Sequence, residues 1–398
     1  MKPATAPLDR RDSARLLVLD PEAPGSPGAS GASAASGASA DLGMTDLPGL
    51  LDPGDLVVVN DAATLPASLP IRAGGVELEL RLAARLENRW RAVLFGAGDW
   101  RDRTEDRPPP PVLPPGSRIA VGERLHGTIV EVSTQSPRLV TIEFDGATEH
   151  ILAQLYRVGR PVQYSHHSDD LELWSVQTVY SGRPWAVEMP SAGRPLSWSL
   201  LLALRARGVE IVSLTHAAGL STTGDPAIDD FLPLPERYDI PAATVEAIER
   251  ARARGSRIVA MGTTVVRALE GSVWRHGRLV AGPDETDLIL DADTPLRVVD
   301  SIVTGMHDPS ESHFRLLRAF APLDVLERGW QHAIDDGYRS HEFGDICLLG
   351  PGLAAAHPEI AWATLDSRVV CPAAPILSLI RRPGAAAGNL PASVLTSA

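Results

Sequence analysis

The chain has 398 residues, 44% of them hydrophobic, so it can bury a large core and its length favours two compact domains. A net charge of −13 excludes a global basic field that would attract nucleic acid, so any RNA contact must be a local patch. Cys347 and Cys371 match neither a disulfide framework nor a paired-cysteine zinc pattern, which favours thiols in a reducing cytoplasm. No apolar run approaches the length of a membrane span, and the N-terminus is charged where a signal peptide is apolar. We therefore expect a cytoplasmic monomer with no membrane partner.

The first part of the chain, residues 1–68, predicts two ordered pieces of an α/β domain. RLLVLD (15–20) is apolar, and in DLPGLLDPGDLVVVND (46–61) a proline-glycine turn precedes a buried strand. Between them, residues 21–43 are rich in Gly, Ala and Ser and nearly free of bulky apolar side chains, so a flexible loop is expected there.

Residues 69–157 change to short alternating runs such as VELELRL, RWRAVLFG and GTIVEVS. This pattern predicts an antiparallel sheet or small barrel inserted into the chain. The proline-rich stretch at 101–116 is interpreted as a stiff surface connection within it.

Residues 158–350 alternate between helical and strand patterns and form the remainder of the α/β domain. LSWSLLLALRARG (196–208) and PAATVEAIERARARG (241–255) predict helices that end at glycines, and each is followed by an apolar strand. Such alternation implies a parallel or mixed sheet covered by helices, with ligands bound where strands end and helices begin. Residues 351–398 are rich in Ala and Pro and are interpreted as an extension of uncertain order.

The stretch MGTTVVRALE (261–270) predicts a strand that breaks at a glycine and restarts as a helix. If Thr264 caps this helix, Arg267 falls at its third position, where the helix dipole disfavours a cation. An anion bound between the helix amides and the guanidinium would remove the conflict. Pairing of Arg267 with Glu270 at helical spacing is the alternative, and the residues alone leave both open.

Two histidines follow other apolar strands. His216 lies in LTHAAG (214–219), and His307 lies before a helix for which Ser310 is the expected N-cap. Because the carboxyl ends of parallel strands meet at one sheet edge, the loops carrying His216, Thr263 and His307 are expected to converge.

Other candidate sites are less supported by their surroundings. HHSDD (166–170) lies in a hydrophilic run, which favours surface histidines over metal ligands, so no metal site is expected. The chain has no G-x-G-x-x-G after a strand, no P-loop and no G-x-S-x-G elbow.

Several stretches, in a shared order, resemble one family, the S-adenosylmethionine:tRNA ribosyltransferase-isomerases of queuosine biosynthesis. The chain is identified as a divergent member on these matches: RRDSARLLVLD (10–20), DLPGLLDPGDLVVVND (46–61), QTVY (177–180), MPSAG (189–193), MGTTVVRALE (261–270), VVDSIVTGMHDPS (298–310) and YRSHEFGDICLL (338–349).

The resemblance implies a mixed α/β domain with an inserted small antiparallel β-barrel domain. It implies transfer and isomerisation of the ribosyl part of S-adenosylmethionine to a 7-aminomethyl-7-deazaguanine base in tRNA, which gives epoxyqueuosine and releases adenine and methionine. S-adenosylmethionine is then a co-substrate, tRNA is the partner, and no cofactor or metal is needed.

The resemblance also implies roles for residues within the matched stretches. His216 and His307 are the candidates for proton transfer, and Arg267 with Thr263 and Thr264 is the candidate anchor for the methionine carboxylate. The other expected substrate-binding residues are Gln177, Thr178, Tyr180, Pro190, Gly193, Ser310, Tyr338 and Asp345.

The chain departs from the family pattern at several polar positions. Ala63 stands where an N-D-T-R stretch carries arginine, Arg194 follows MPSAG where L-H-F is usual, and HAAGLST replaces H-V-G-A-G-T-F. In FLPLPE (231–236), aligned with H-x-M-H-x-E, only Glu236 remains. These losses keep two alternatives open: a paralogue that uses S-adenosylmethionine or a related nucleoside on a non-tRNA acceptor, and a non-catalytic binding descendant.

Overall fold

The apolar runs of the sequence form the strands of a mixed α/β domain and of a separate barrel. The computed structural model describes residues 1–23, 37–309 and 311–365. In chain order the strands are β1 (Lys2–Pro3), β2 (Arg15–Asp20), β3 (Ala38–Gly43), β4 (Leu56–Asn60), β5 (Ala62–Thr64), β6 (Ser68–Ala73), β7 (Val76–Leu86), β8 (Arg89–Phe95), β9 (Arg118–Val121), β10 (Leu125–Val132), β11 (Leu139–Phe144), β12 (Arg183–Ala186), β13 (Glu210–His216), β14 (Glu236–Ile240), β15 (Ile258–Met261), β16 (Gly282–Thr286), β17 (Ser301–Gly305), β18 (Arg339–Ser340), β19 (Ile346–Leu349) and β20 (Ala363–Thr364).

Helices cover the sheet and connect its strands. They are α1 (Leu47–Leu50), α2 (Thr148–Val158), α3 (Trp198–Ala206), α4 (Pro226–Asp229), α5 (Ala242–Ala253), α6 (Thr263–His276), α7 (Ser312–Leu317), α8 (Leu323–Asp335) and α9 (Leu353–Ala356). Among the described residues, no helix combines the length and apolar character that a bilayer span needs.

The main sheet of the described residues has ten strands in the order β16-β14-β13-β4-β15-β17-β19-β2-β3-β20. The adjacent strands β13, β4, β15 and β17 are parallel, so their carboxyl ends meet at one edge. Along β4, Leu56 and Val58 pack into one core cluster and Val57 and Val59 into another. Both faces of this sheet are therefore buried, which explains why its central strands are continuous apolar runs.

The two faces of the sheet are covered by different helices. Apolar side chains of α5, α6 and α8 belong to the same cluster as Leu56, whereas those of α1 and α3 belong to the cluster of Val57. The sheet thus lies between two helical layers.

The alternating runs form a closed barrel with the strand order β10-β11-β8-β7-β6-β9, in which neighbouring strands are antiparallel. Its apolar residues, among them Leu80, Phe95 and Ile142, form a core cluster distinct from those of the main sheet, and Val187 and Leu220 of the α/β domain pack into it. The barrel is inserted between β5 and β12, which confirms the predicted fold class. Helix α2 follows the last barrel strand and packs Ile151 and Leu155 into the barrel core.

The prediction of a flexible loop at 21–43 is wrong for the C-terminal part of that segment. Residues Ala38–Gly43 form β3, which pairs antiparallel with β2 along its full length. Ala38, Ser39 and Ala40 are buried, and their small side chains provide no apolar signal that would indicate a strand. The rest of the expected loop, 24–36, lies outside the described residues.

The segment expected to be an extension of uncertain order also begins with regular structure. Leu353 is fully buried in α9, and β20 pairs antiparallel with β3. Pairing with a distant strand is a tertiary contact that the local composition does not show. Residues 366–398 lie outside the described residues.

Close packing between α6 and β16 provides a test of the fold. A Cβ atom added at Gly271 would lie 2.3 Å from Oγ1 of Thr286. Replacing Gly271 with Ala is expected to lower the free energy of unfolding by about 1–3 kcal/mol because overpacking displaces packed atoms. Urea unfolding measures the change. The control is Gly49→Ala in α1, where no atom lies within 4 Å and no destabilisation is expected. An equal effect of both substitutions would contradict this packing.

Candidate active site

A cleft lies where the parallel strands of the main sheet end. Its lining comes from the segments after β12 and β16, the loops after β13, β15 and β17, the segment that leads into β14, and helices α6 and α7. The lining residues are 188–192, 218–221, 232, 233, 236, 261–264, 267, 288–290, 304, 307, 312, 313 and 316. The structure therefore brings together the three loops that the sequence predicts to converge at this edge.

Helix α6 begins in the lining of the cleft, and a single residue, Gly262, separates it from β15. Gly262 is its N-cap, with φ 97°, a left-handed value that favours glycine and permits the sharp turn from β15. Thr263 is the first helical residue, so the expectation that Thr264 caps the helix is wrong. Arg267 consequently lies at the fifth helical position rather than the third. Gly262, Thr263 and Thr264 all line the cleft, so the positive end of the helix dipole opens onto it.

Arg267 is paired with a residue from another strand. Its Nη1 donates a hydrogen bond to Oε2 of Glu236 at the start of β14, and both residues are 7% exposed. Its Nε donates to the carbonyl of Leu288 at 3.3 Å, whereas its buried Nη2 has no hydrogen-bond partner. Arg267 lines the cleft, and this buried nitrogen is an unsatisfied donor.

The alternative pairing of Arg267 with Glu270 is wrong. Glu270 accepts hydrogen bonds of 2.8–2.9 Å from three successive backbone amides, those of Arg297, Val298 and Val299. Its carboxylate therefore anchors the chain segment that leads into β17. Arg267 pairs with Glu236 instead.

His216 lies beneath the cleft and is fully buried. Its Nε2 is 3.4 Å from Oε2 of Glu236, and neither ring nitrogen has a hydrogen-bond partner. Burial lowers the pKa of His216 to about 4, outweighing the opposing effect of Glu236, so the ring is neutral at neutral pH. Asn60 at the end of β4 holds the His216 backbone through both N–H and C=O. The residues that follow His216, 218–221, line the cleft in its place.

His307 lines the cleft directly. Its Nε2 lies 2.9 Å from Oγ1 of Thr304, and its Nδ1 lies 3.7 Å from Oε2 of Glu311. The ring stacks on that of His313, with centroids 4.8 Å apart. Burial, reinforced by the neighbouring His307, lowers the pKa of His313 to about 4. The pair therefore presents two imidazoles to the cleft, of which His313 is neutral at neutral pH.

Glu188, in the segment after β12, lines the same cleft as His307 and His313. Tyr164 Oη and the Ser221 amide both donate to its Oε1. Burial raises the pKa of Glu188 to about 7, although the hydrogen bond from Tyr164 opposes the shift. A carboxyl group with such a pKa is half ionised near neutral pH and can both accept and donate a proton.

Sequence reasoning missed Glu188 and His313. Glu188 directly precedes the matched stretch MPSAG, and His313 follows His307 by six residues in the first turn of α7. In the sequence, only their position near a matched stretch indicates that these two residues belong to the site. The raised pKa of Glu188 and the lowered pKa of His313 arise from burial by elements that are distant in sequence.

Four of the predicted substrate-binding residues do not line the cleft but pack behind it: Gln177, Thr178, Tyr180 and Gly193. Gln177 exchanges two hydrogen bonds of 2.9 Å with the backbone of Thr64. Tyr180 and Thr178 pack against Gly193, where an added Cβ would lie 2.1 Å from Tyr180 Oη. These contacts position the segment that carries Pro190, which does line the cleft.

Tyr338 and Asp345 also lie outside the lining. Tyr338 Oη donates to Asp41 at 2.6 Å, and its ring stacks on the Arg15 guanidinium. Asp345 accepts from the amides of Arg15 and Arg339 and so joins β2 to β18. Ser310 lies outside the described residues, and the N-cap of α7 is Glu311.

The segment that lacks the family histidines forms one rim of the cleft. Phe231 is 53% exposed, Leu234 packs against the barrel core, and Leu232, Pro233 and Glu236 line the cleft. This rim is therefore apolar up to Glu236.

A family model described as queuosine biosynthesis protein matches residues 2–349. This chain belongs to the queuosine biosynthesis protein family. Curated relatives named S-adenosylmethionine:tRNA ribosyltransferase-isomerase include those of Anaeromyxobacter dehalogenans, 34% identical, and Methylorubrum extorquens, 33% identical. Each alignment covers 87% of this chain and, respectively, 95% and 93% of the relative. A crystal structure of an S-adenosylmethionine tRNA ribosyltransferase from Thermotoga maritima aligns at 23% identity with a TM-score of 0.46, covering 87% of this chain and 95% of that chain.

The buried pair of this family member can be tested by a double-mutant cycle. Glu236→Leu and Arg267→Met are each expected to lower the free energy of unfolding by about 3–5 kcal/mol because each leaves an unpaired buried charge. The double variant is expected to lose less than the sum, since neither charge remains. Urea unfolding of the four proteins measures the coupling. Additive losses would show that the two charges do not stabilise each other.

Proposed function

We propose that the chain transfers and isomerises the ribosyl part of S-adenosylmethionine onto a 7-aminomethyl-7-deazaguanine base in tRNA, giving epoxyqueuosine, adenine and methionine. Family membership over residues 2–349 supports this reaction. The observation that carries it is the composition of the cleft, where a helix N-terminus and the free Nη2 of Arg267 share one cavity with Glu188 and His307. The helix N-terminus and Arg267 suit the binding of an anion, and Glu188 and His307 suit proton transfer.

The α6 end of the cleft is the proposed anchor for the methionine carboxylate. Thr263 and Thr264 form the first turn of α6, and Arg267 Nη2 is a buried donor that lacks an acceptor. A carboxylate here satisfies that donor and interacts favourably with the helix dipole. Glu236 stays with Nη1, so the guanidinium is held in place while its second nitrogen binds substrate.

Glu188 is the proposed base for the first step. The sulfonium of S-adenosylmethionine acidifies the neighbouring C5′ protons, so removal of one of them permits adenine to leave. A carboxyl group with a pKa of about 7 is matched to this task near neutral pH. The positive sulfonium beside it also favours its ionised form.

His307 is the proposed proton donor for the departing adenine. It lines the cleft, whereas His216 lies beneath it with no exposed surface. His216 is instead proposed to position Glu236, whose carboxylate lies 3.4 Å from its Nε2. The amine of the tRNA base then adds, and methionine is displaced.

The proposed partners are S-adenosylmethionine, as co-substrate, and tRNA in the cytoplasm. The proposed steps use only carboxyl and imidazole groups and the acidity that the sulfonium supplies, so they include no cofactor and no metal. Because the chain carries a net charge of −13, tRNA is expected to contact a local basic patch.

A second candidate is transfer to an acceptor other than tRNA. It is favoured by the loss of polar groups, since Phe231, Leu234 and Ala63 stand where the family pattern has two histidines and an arginine. An apolar rim offers fewer hydrogen bonds to a polynucleotide.

Incubation of the purified protein with S-adenosylmethionine and tRNA carrying the precursor base separates the two candidates. The proposed function predicts adenine release together with epoxyqueuosine in the digested tRNA. Adenine release without modified tRNA would favour the second candidate. If calorimetry detects no binding of S-adenosylmethionine, both candidates are wrong and a non-catalytic role remains.

Replacement of Glu188 with Gln tests the proposed base. Gln keeps an oxygen acceptor for Tyr164 and Ser221, and the rate of adenine release is expected to fall by about 10²–10⁴-fold. The wild-type rate is expected to rise with pH through about 7 as Glu188 loses its proton, and the variant is expected to lose this rise. Glu249→Gln, on the exposed face of α5, is the control and should keep the wild-type profile. An unchanged rate and pH profile in Glu188→Gln would eliminate Glu188 as the base.

A further inference from the structure

A second cluster of titratable side chains lies outside the cleft, where the segment after the barrel meets the loop between β18 and β19. His166 and His167 belong to the first segment, and His341 and Glu342 belong to the second. Nε2 of His166 is 3.1 Å and Nε2 of His167 is 3.8 Å from the same oxygen, Oε2 of Glu342. The rings of His166 and His341 stack with centroids 4.5 Å apart. Two chain segments more than 170 residues apart in sequence therefore meet at Glu342. The ligand atoms of His166, His341 and Glu342 are mutually close, and Nε2 of His167 lies beside the same carboxylate.

The spacing of these donors is that of a metal site. Ligand atoms of His166, His341 and Glu342 all lie within 4.8 Å of one another. A tetrahedral zinc ion with bonds of about 2.0–2.1 Å holds its ligand atoms roughly 3.3 Å apart. The distances of 3.1 and 3.8 Å from Glu342 to the two neighbouring histidines bracket that value. Small side-chain adjustments would bring the set to coordination distance.

His167 provides an independent observation. Its side chain is buried, with the residue 6% exposed, and its Nε2 has no hydrogen-bond partner. Its Nδ1 lies 3.1 Å from the carbonyl of Tyr164, and because a carbonyl only accepts, Nδ1 carries the proton. In that tautomer Nε2 carries a lone pair, and it lies 3.8 Å from Oε2 of Glu342. A backbone carbonyl that orients an imidazole in this way is the usual outer partner of a metal-binding histidine.

The expectation of surface histidines in HHSDD is therefore wrong for His167. The run HHSDD is hydrophilic, but residues 341 and 342 of a distant loop pack against its histidines. His341 is exposed, so solvent and an ion reach the cluster from its side.

We propose that His166, His341 and Glu342 bind one zinc ion that joins the segment after the barrel to the loop before β19, and that a small movement of His167 supplies the fourth ligand. Three imidazoles and one carboxylate are ligands that zinc prefers, and a full set of protein ligands is typical of a structural site. His167 and Glu342 also line a small cavity together with Glu188 and Met189. The ion thus braces the segment that carries Glu188, and it takes no part in the transfer reaction.

Among the described residues, two other groups of possible metal ligands have comparable spacing. The test must distinguish zinc binding at these groups from binding at the cluster around Glu342. His307, Glu311 and His313 belong to the cleft, and Asp41, His332 and Asp336 lie at the protein surface. Neither group places a buried, unpartnered ring nitrogen beside a carboxylate, which distinguishes the cluster around His167.

Zinc titration of the full-length protein, treated with chelator and dialysed, tests the proposal. Competition with a chromophoric chelator should show one tight zinc ion per chain. The double variant His166→Ala/His341→Ala is expected to weaken zinc binding by more than about 100-fold, since loss of outer hydrogen-bond partners alone costs about 10–100-fold. Both side chains reach solvent, so the variant is expected to fold, and circular dichroism checks this. His332→Ala is the matched control and should retain the wild-type affinity.

Two further measurements make the outcome decisive. Zinc should raise the melting temperature of the wild-type protein and leave that of the double variant unchanged, because only an ion bound to the native state stabilises it. Cobalt in place of zinc should give the visible spectrum of a tetrahedral site in the wild type alone. Equal zinc affinity of the folded double variant and the wild type would overturn the proposal. Loss of binding on His332→Ala or His313→Ala would overturn it as well, since it would place the ion in another group.

Discussion

The buried ion pair between Arg267 and Glu236 is the contact on which the cleft depends. Arg267 belongs to α6 and Glu236 to β14, and both residues line the cleft. Their pairing therefore joins this helix to this strand. The other oxygen of Glu236 accepts a hydrogen bond of 2.7 Å from the amide of Gly219, which holds the loop after His216. Because both charges are buried, removal of either one would leave the other without a compensating charge. Three elements are thereby fixed around one carboxylate, and the free nitrogen of Arg267 is left for a ligand.

Burial also decides the protonation of the groups around this pair. It lowers the pKa of His216 and His313 to about 4 and raises that of Glu188 to about 7. Near neutral pH His313 in the cleft and His216 beneath it are thus neutral, while Glu188 is half ionised. That balance suits a cationic sulfonium, because positive charge on His216 and His313 would repel it. The same burial that stabilises the fold therefore prepares the cleft for the proposed substrate.

Glu188 connects the cleft to the proposed zinc site. It lines the cleft on one side and, on the other, the small cavity shared with His167 and Glu342. Tyr164, two residues before His166, donates its hydroxyl to Glu188 and its carbonyl accepts from His167. The proposed ion and the proposed base are thus joined through one tyrosine, so rigidity at the histidine cluster is transmitted to the position of the carboxyl group.

The sequence by itself determined the fold class, the family, and the edge of the sheet at which the cleft lies. It could do so because strand and helix periods are local, and because parallel strands oblige the loops after them to share an edge. It did not determine which groups meet within that cleft. The partner of Arg267 is Glu236, 31 residues away, rather than the neighbouring Glu270, and His167 is covered by a loop more than 170 residues further along the chain. Pairing, burial and pKa depend on contacts between distant segments, and only the tertiary structure decides them.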